Sequence, residues 1–420
     1  MWRPLCVALA VTRDTFNQLV YSCIYLNVGI IDENVATNED CLFLDVYTPH
    51  NATKSDKLSV MVWIHGGGFT QGSGSMYSGL MYAASGVVMV SINYRLGILG
   101  FFNLPGSDIK GNFGMLDQIE ALHWVKRNID NFGGDPEKVT VFGESAGAAC
   151  VSLLAMSPLT ENLFQKAIMQ SGSGMAWWSS YSPDEEDAKE FAEAMKCEPP
   201  FNPNRMIDCI KNAPLSTILK EQEYYSSLIS PTIDDHFLLD HPRKLAEDEL
   251  YHPIPVIIGT NLNEGDLFLP YVTIDYGWNL SEGITKENLA NFTETFLEHL
   301  SPESIAVAAY EYNNYTCPDE DCPLENRKLA SRLYSDYIFN APADFEARAR
   351  SKKSKVYRYV YSYPGTVLWL PLADWMNVTH ATEIEYMFGA PMLMAKNFTD
   401  NDRIVSKMMT NAWIEFANNG

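Results

Sequence analysis

The chain has 420 residues, 46% apolar, 12% aromatic and 20% charged. That is a globular composition, neither disordered nor collagen-like, and it is long enough to bury a large core. With 30 Lys and Arg against 53 Asp and Glu, the formal net charge is −23 and the pI is near 4.7. Such a surface makes nucleic acid and anionic lipid headgroups poor partners and concentrates cations, although solubility alone would account for it.

At the start of the chain, Arg3 precedes a short apolar run from Leu5 to Val11. The run is thin for a signal-peptide core, and no small-residue cleavage site follows it. Residues before about Thr12 are not expected to belong to the fold. No run of about 18 apolar residues occurs anywhere, so no integral membrane span is expected. Cysteines come in close pairs, Cys23 with Cys41, Cys197 with Cys209 and Cys317 with Cys322. In a chain rich in N-x-S/T sequons these pairs read as loops stapled by disulfides, and no zinc-type spacing competes with that reading. The sequons at Asn51, Asn279, Asn291, Asn314 and Asn397 are glycosylation candidates; a sixth, at Asn377, lies three residues before His380, where a glycan would crowd that histidine. Together these features place the protein outside the cell or in the secretory lumen. Cys6 and Cys150 remain over, and Cys150, after an Ala-rich stretch, reads as a buried thiol.

Apolar β-branched runs alternate with helical patterns, as in βα units around a mostly parallel sheet. Strands are predicted at Ser59–Ile64, Val87–Ile92, Lys138–Phe142, Gln165–Met169, Pro255–Ile258 and Lys355–Tyr361. Met115, Ile119, Leu122, Val125 and Ile129 lay one apolar stripe along a helix. The segment Asn131-Phe-Gly-Gly-Asp-Pro136 then turns the chain. Acidic stretches at Asp184–Glu193 and Asn313–Glu325 read as irregular surface insertions.

Chemistry enters at Gly143-Glu144-Ser145-Ala146-Gly147, where a strand runs into a helix. Two glycines allow a turn too tight for a Cβ, which leaves the Ser145 hydroxyl exposed beside a helix N-terminus: a nucleophile elbow. Upstream, His65-Gly66-Gly67-Gly68-Phe69 directly follows a strand. Consecutive glycines let backbone N–H groups converge on one oxygen, as the oxyanion of a tetrahedral intermediate requires. Gly67, Gly68 and Ala146 are the expected donors. Glu144, beside the nucleophile, is expected within the pocket.

These motifs resemble the type-B carboxylesterase and cholinesterase family of α/β-hydrolases. The resemblance extends from Cys23 onwards through Glu39-Asp-Cys-Leu42, Asn93-Tyr-Arg-Leu96, Gly111-Asn-Phe-Gly114, Asp117-Gln118, Phe132-Gly-Gly-Asp-Pro136 and Phe142-Gly-Glu-Ser-Ala-Gly147. It implies one α/β-hydrolase domain over residues 1–420, with a mostly parallel sheet flanked by helices. The family's small N-terminal sheet and C-terminal helical end are missing by comparison. It also implies a structural, buried ion pair between Arg95 and Asp117.

A serine needs a base, and the base needs an orienting acid, in the chain order Ser, acid, His for this fold. Among eight histidines, His380 lies in Trp375-Met-Asn-Val-Thr-His-Ala-Thr-Glu-Ile-Glu-Tyr-Met-Phe-Gly389, a segment similar to the one bearing the family's catalytic histidine. Gly259-Thr-Asn-Leu-Asn-Glu-Gly265 resembles the acid loop and makes Glu264 the third member. The implied function is hydrolysis of carboxylic esters through an acyl-enzyme, with a small-molecule ester as substrate and no cofactor or metal.

Where choline-selective members carry a cation-binding Trp, this chain has Ile31. Trp177, Trp178, Phe268 and Tyr271 are candidates for a gorge lining. Tyr225 and Ser227 fall at the acyl-pocket positions, the smaller one leaving room for acyl groups larger than acetyl. A general carboxylesterase is therefore preferred to a cholinesterase, with a non-catalytic adhesion module as the third reading. A homo-oligomer is compatible with the sequence.

Overall fold

The computed structural model describes residues 21–22, 36–104, 107, 109–181, 185–197, 202–222, 228–313, 321–394 and 396–420. Two short strands, β1 (Tyr21–Ser22) and β2 (Ala36–Thr37), pair in parallel. The main sheet follows: β3 (Leu44–Tyr47), β4 (Leu58–Ile64), β5 (Val88–Ile92), β6 (Gly134–Glu144), β7 (Lys166–Gln170), β8 (Val256–Asn261) and β9 (Val356–Tyr361). Its order is β3-β5-β4-β6-β7-β8-β9. Only β3 runs antiparallel to its neighbour; every other pair is parallel. The six predicted strands are all present to within a few residues. The predicted amphipathic helix is Phe113–Asn128.

Central strands read as unbroken apolar runs because both of their faces are covered. In β4 the period-2 alternation sends Val60, Val62 and Ile64 to one core and Met61 and Trp63 to the other. The first core is closed by the helices Phe113–Asn128 and Ala146–Leu154. The second packs Trp63 and Phe142 against Phe388 and against Trp413 and Phe416 of the final helix, Asp400–Asn419. Trp63 is completely buried, with its ring centroid 4.9 Å from Phe142 and 5.0 Å from Phe388. A third cluster, with Leu269, Leu289, Phe292 and Leu333, binds the helices Gly265–Val272, Lys286–Phe296 and Pro323–Ser335 into a cap.

Two expectations are corrected, and a third falls mostly outside the described residues. Glu185–Ala194 is a helix rather than an irregular insertion, and it buries Ala188, Phe191 and Ala192. In the second acidic stretch, residues 314–320 lie outside the described residues, and a helix starts at Pro323. The Arg95–Asp117 pair is bidentate, at 2.7 and 2.8 Å, but Arg95 keeps 37% of its side chain exposed, so the pair is only half-buried.

Cys197 and Cys209 form a disulfide. Cys41 and Cys322 are also disulfide-bonded, while Cys23, Cys317 and Cys6 lie outside the described residues. Cys150 is a buried free thiol that accepts a hydrogen bond from Gln118 Nε2 at 3.2 Å. Asn51, Asn279, Asn291, Asn377 and Asn397 are exposed; Asn314 is outside the described residues. No helix among the described residues is long and apolar enough to cross a membrane.

Candidate active site

Strand β6 ends at Glu144, and the helix Ala146–Leu154 begins immediately beyond Ser145. The chain can reverse this sharply only because Ser145 adopts φ 57 and ψ −126, a conformation costly for a residue with a Cβ and one that clusters at active sites. Its neighbours must be small. A Cβ on Gly147 would lie 2.1 Å from the Ile64 carbonyl oxygen, and one on Gly172 would lie 2.2 Å from the Ser145 carbonyl oxygen. Gly172 follows β7 and belongs to no motif singled out in the sequence.

The loop after β4 brings Gly66, Gly67 and Gly68 to the same cavity as Ser145 and His380. Among the described residues, the amides of Gly67, Gly68 and Ala146 donate to no backbone carbonyl. For Ala146 this follows from its place in the first helical turn, where amides have no intrahelical acceptor. His65 anchors the loop. Its Nδ1 donates to the Gly66 carbonyl at 2.8 Å, and its ring stacks on Tyr94 at 4.5 Å. Burial pushes the His65 pKa down to about 4, so the ring is neutral.

Glu264 follows β8, and His380 lies in a loop before the helix Glu383–Met387. The two meet although 116 residues separate them: His380 Nδ1 stands 2.6 Å from Glu264 Oε2. Glu264 Oε1 accepts the Asn261 amide at 2.7 Å, which fixes the carboxylate plane. The other imidazole nitrogen, Nε2, lies 3.1 Å from Glu144 Oε1. Neither of those atoms makes a directed hydrogen bond, to each other or to Ser145. Burial alone lowers the His380 pKa, but the carboxylates of Glu144, Glu264 and Glu383 outweigh it and bring the value up to about 9. Burial pushes Glu144 in turn up to about 8.

The cavity holds about 400 Å³ and is largely apolar. Trp177, Trp178 and Phe268 line it; Tyr271 is exposed and stands outside it. Phe268 and Phe339 flank the imidazole, with centroids 5.0 and 4.7 Å from it. Ile31, Tyr225 and Ser227 lie outside the described residues. The sequence reading missed Tyr334, Ile338, Phe339 and Trp369, which also face the cavity. Ile338 and Phe339 sit on a π-helical turn, Asp336–Asn340, and such turns recur at functional sites. It also missed Glu383, fully buried behind the histidine; its place three residues after His380, in the same quoted segment, was the available signal. Among the described residues no group of His, Cys, Asp and Glu is arranged to hold a metal.

A mostly parallel seven-stranded sheet flanked by helices, with a strained serine where a strand meets a helix, is the α/β-hydrolase fold. The family model for carboxylesterases matches residues 4–420, and the chain belongs to that family of ester hydrolases. It is 36% identical over 409 residues to carboxylesterase 1E of Rattus norvegicus, covering 93% of this chain and 72% of the relative. It is similarly 36% identical over 404 residues to carboxylesterase 1E of Mus musculus, covering 91% and 70%. Acylcarnitine hydrolase of Mus musculus is 34% identical over 387 residues, covering 91% and 68%.

Proposed function

We propose that the protein hydrolyses uncharged carboxylic esters through an acyl-enzyme on Ser145. The observation that carries this reading is the 2.6 Å contact of His380 with Glu264, in one cavity with a strained serine and the glycine loop. Glu264 holds the Nδ1 proton, which leaves the Nε2 lone pair free. For the reaction the ring turns from Glu144 so that this lone pair faces the Ser145 hydroxyl. The serine oxygen then bonds to the ester carbonyl carbon as its proton passes to Nε2. Gly67, Gly68 and Ala146 amides receive the carbonyl oxygen as it becomes an oxyanion. The imidazolium returns its proton to the leaving alcohol, and water repeats the sequence to release the acid.

The chemistry of the pocket favours neutral esters. Burial pushes Glu144, which lines the cavity, toward its uncharged form, and this weakens its attraction for a cationic head. We read residues 1–420 as one domain, and the disulfide and the exposed sequon asparagines support a glycosylated protein of an oxidising, secretory compartment. Replacement Ser145→Ala is expected to lower p-nitrophenyl butyrate turnover at least about 10³-fold while circular dichroism and melting stay unchanged. Turnover surviving in that variant would remove Ser145 from the reaction.

A further inference from the structure

We propose that Gln170 is a positioning residue that ties the nucleophile elbow to the carboxylates behind His380. The inference rests on the ester-hydrolase reading. Gln170 is the last residue of β7 and is fully buried. Its backbone carbonyl accepts the Ser145 N–H at 2.8 Å, restraining the one residue of the elbow whose backbone is strained. Its side chain points the other way. Gln170 Nε2 donates to Glu383 Oε1 at 3.1 Å, and Trp413 Nε1 donates to Gln170 Oε1 at 2.9 Å.

An indole nitrogen can only donate, so Trp413 settles which way the Gln170 amide faces: oxygen toward the final helix, NH₂ toward Glu383. The other oxygen of Glu383 accepts Asn261 Nδ2 at 2.6 Å. That same NH₂ group donates to the Thr379 carbonyl at 2.9 Å, one residue before His380, while the Asn261 amide holds Glu264. The thread thus runs from the C-terminal helix through Gln170, Glu383 and Asn261 to the acid–histidine pair, with every side chain in it buried.

The thread sets a charge as well as a shape. Burial and the neighbouring Glu264 charge drive Glu383 toward its neutral form, and the Asn261 donor and His380 oppose that; the Gln170 donor at 3.1 Å acts in the same sense as Asn261. Around it and His380 stand Glu144 at the end of β6, Glu264 after β8, Arg358, Tyr359 and Tyr361 on β9, and Tyr77. Arg358 directs its guanidinium to Thr260 and to the Tyr359 carbonyl, so it makes no ion pair with Glu383. Loss of the Gln170 donor lets Glu383 take up a proton, which removes one negative charge that stabilises the imidazolium.

The test is Gln170→Met, which keeps the backbone carbonyl and the approximate volume and removes both side-chain hydrogen bonds. The acidic limb of the kcat/KM profile is expected to move about one pH unit lower, with kcat reduced about tenfold. Trp413→Phe, which preserves the ring but not the N–H, is expected to move the limb in the same direction by less, and it serves if the first variant does not fold. A purely structural Gln170 would lower the melting temperature with the profile in place, and that result overturns the proposal. Inactivity of the unmodified protein toward p-nitrophenyl butyrate defeats the ester-hydrolase reading instead. The proposal is then decided by titrating the ¹³Cε1 signal of His380 by NMR, where an unchanged midpoint in Gln170→Met counts against it.

Discussion

His380 is held between two carboxyl groups, one at each ring nitrogen, and they do different things. On the proposed mechanism Glu264, at 2.6 Å from Nδ1, fixes orientation and tautomer, and Glu144, at 3.1 Å from Nε2, competes with Ser145 for the nitrogen that accepts the serine proton. The imidazole is a base only when neutral, and its pKa brought up to about 9 puts the acidic limb of kcat/KM on the alkaline side of neutrality. Glu144 and His380 titrate as a pair, so the limb belongs to both. In Glu144→Gln the negative charge is gone and the imidazolium loses a stabilising neighbour. The midpoint of that limb is therefore expected to fall by about one to two pH units, with activity at pH 6 rising relative to that at pH 9. A pH–rate series on the purified variant decides it; a midpoint that stays in place would mean that Glu144 is neutral throughout the working range.

Among the elements, the helix Ala146–Leu154, which begins just beyond Ser145, is secured from behind by the helix Ala341–Arg350. Glu346 Oε1 accepts Ser152 Oγ and Arg350 Nε, each at 2.7 Å, and Oε2 accepts Ser173 Oγ at 2.5 Å. Both members of the ion pair are essentially inaccessible to water. Replacing Arg350 with Ala leaves a buried carboxylate uncompensated, and a loss of about 3–5 kcal/mol is expected in urea unfolding. The double replacement Glu346→Leu with Arg350→Met should cost less than the single one, because no unpaired charge remains. A single variant within about 0.5 kcal/mol of the parent would show that water or rearrangement already relieves the charge.

Legibility in the sequence follows the same physics. Strands β4 to β9 announced themselves because most are β-branched apolar runs. Strand β3, with one buried residue in Leu-Asp-Val-Tyr, carries no such signal. The helix Glu185–Ala194 hid behind its acidic residues, although Ala188, Phe191, Ala192 and Met195 bury a 3.6-residue stripe. Ser145, Glu264 and His380 each sit in a local motif, and the fold brings all three to one end of the sheet. Tyr334, Ile338, Phe339 and Trp369 reach the cavity from two separate segments, with no local pattern to mark them. Only the cap's tertiary packing makes them a wall.

At the scale of the whole molecule, long-range and short-range electrostatics act against each other. A net charge of −23 draws cationic substrates toward the surface, and that attraction extends about one Debye length, roughly 10 Å at 0.1 M salt. On the proposed reading the selection reverses inside the cavity: the lining is largely aromatic and aliphatic, and burial pushes Glu144 toward its uncharged form. On that reading encounter favours a cation and binding favours a neutral ester. The two contributions separate by salt, since screening weakens the first and leaves the second nearly untouched. For a pair of esters with the same acyl group, one with a trimethylammonium alcohol and one with its uncharged tert-butyl analogue, kcat/KM of the cationic ester is expected to fall by about threefold to tenfold between 10 mM and 500 mM salt. That of the neutral ester should change by less than about twofold, and it should be the better substrate at high salt. Equal salt responses would show that the acidic surface is arranged away from the cavity mouth. A cationic ester still preferred at 500 mM would show instead that a carboxylate near the nucleophile stays ionised when substrate is bound.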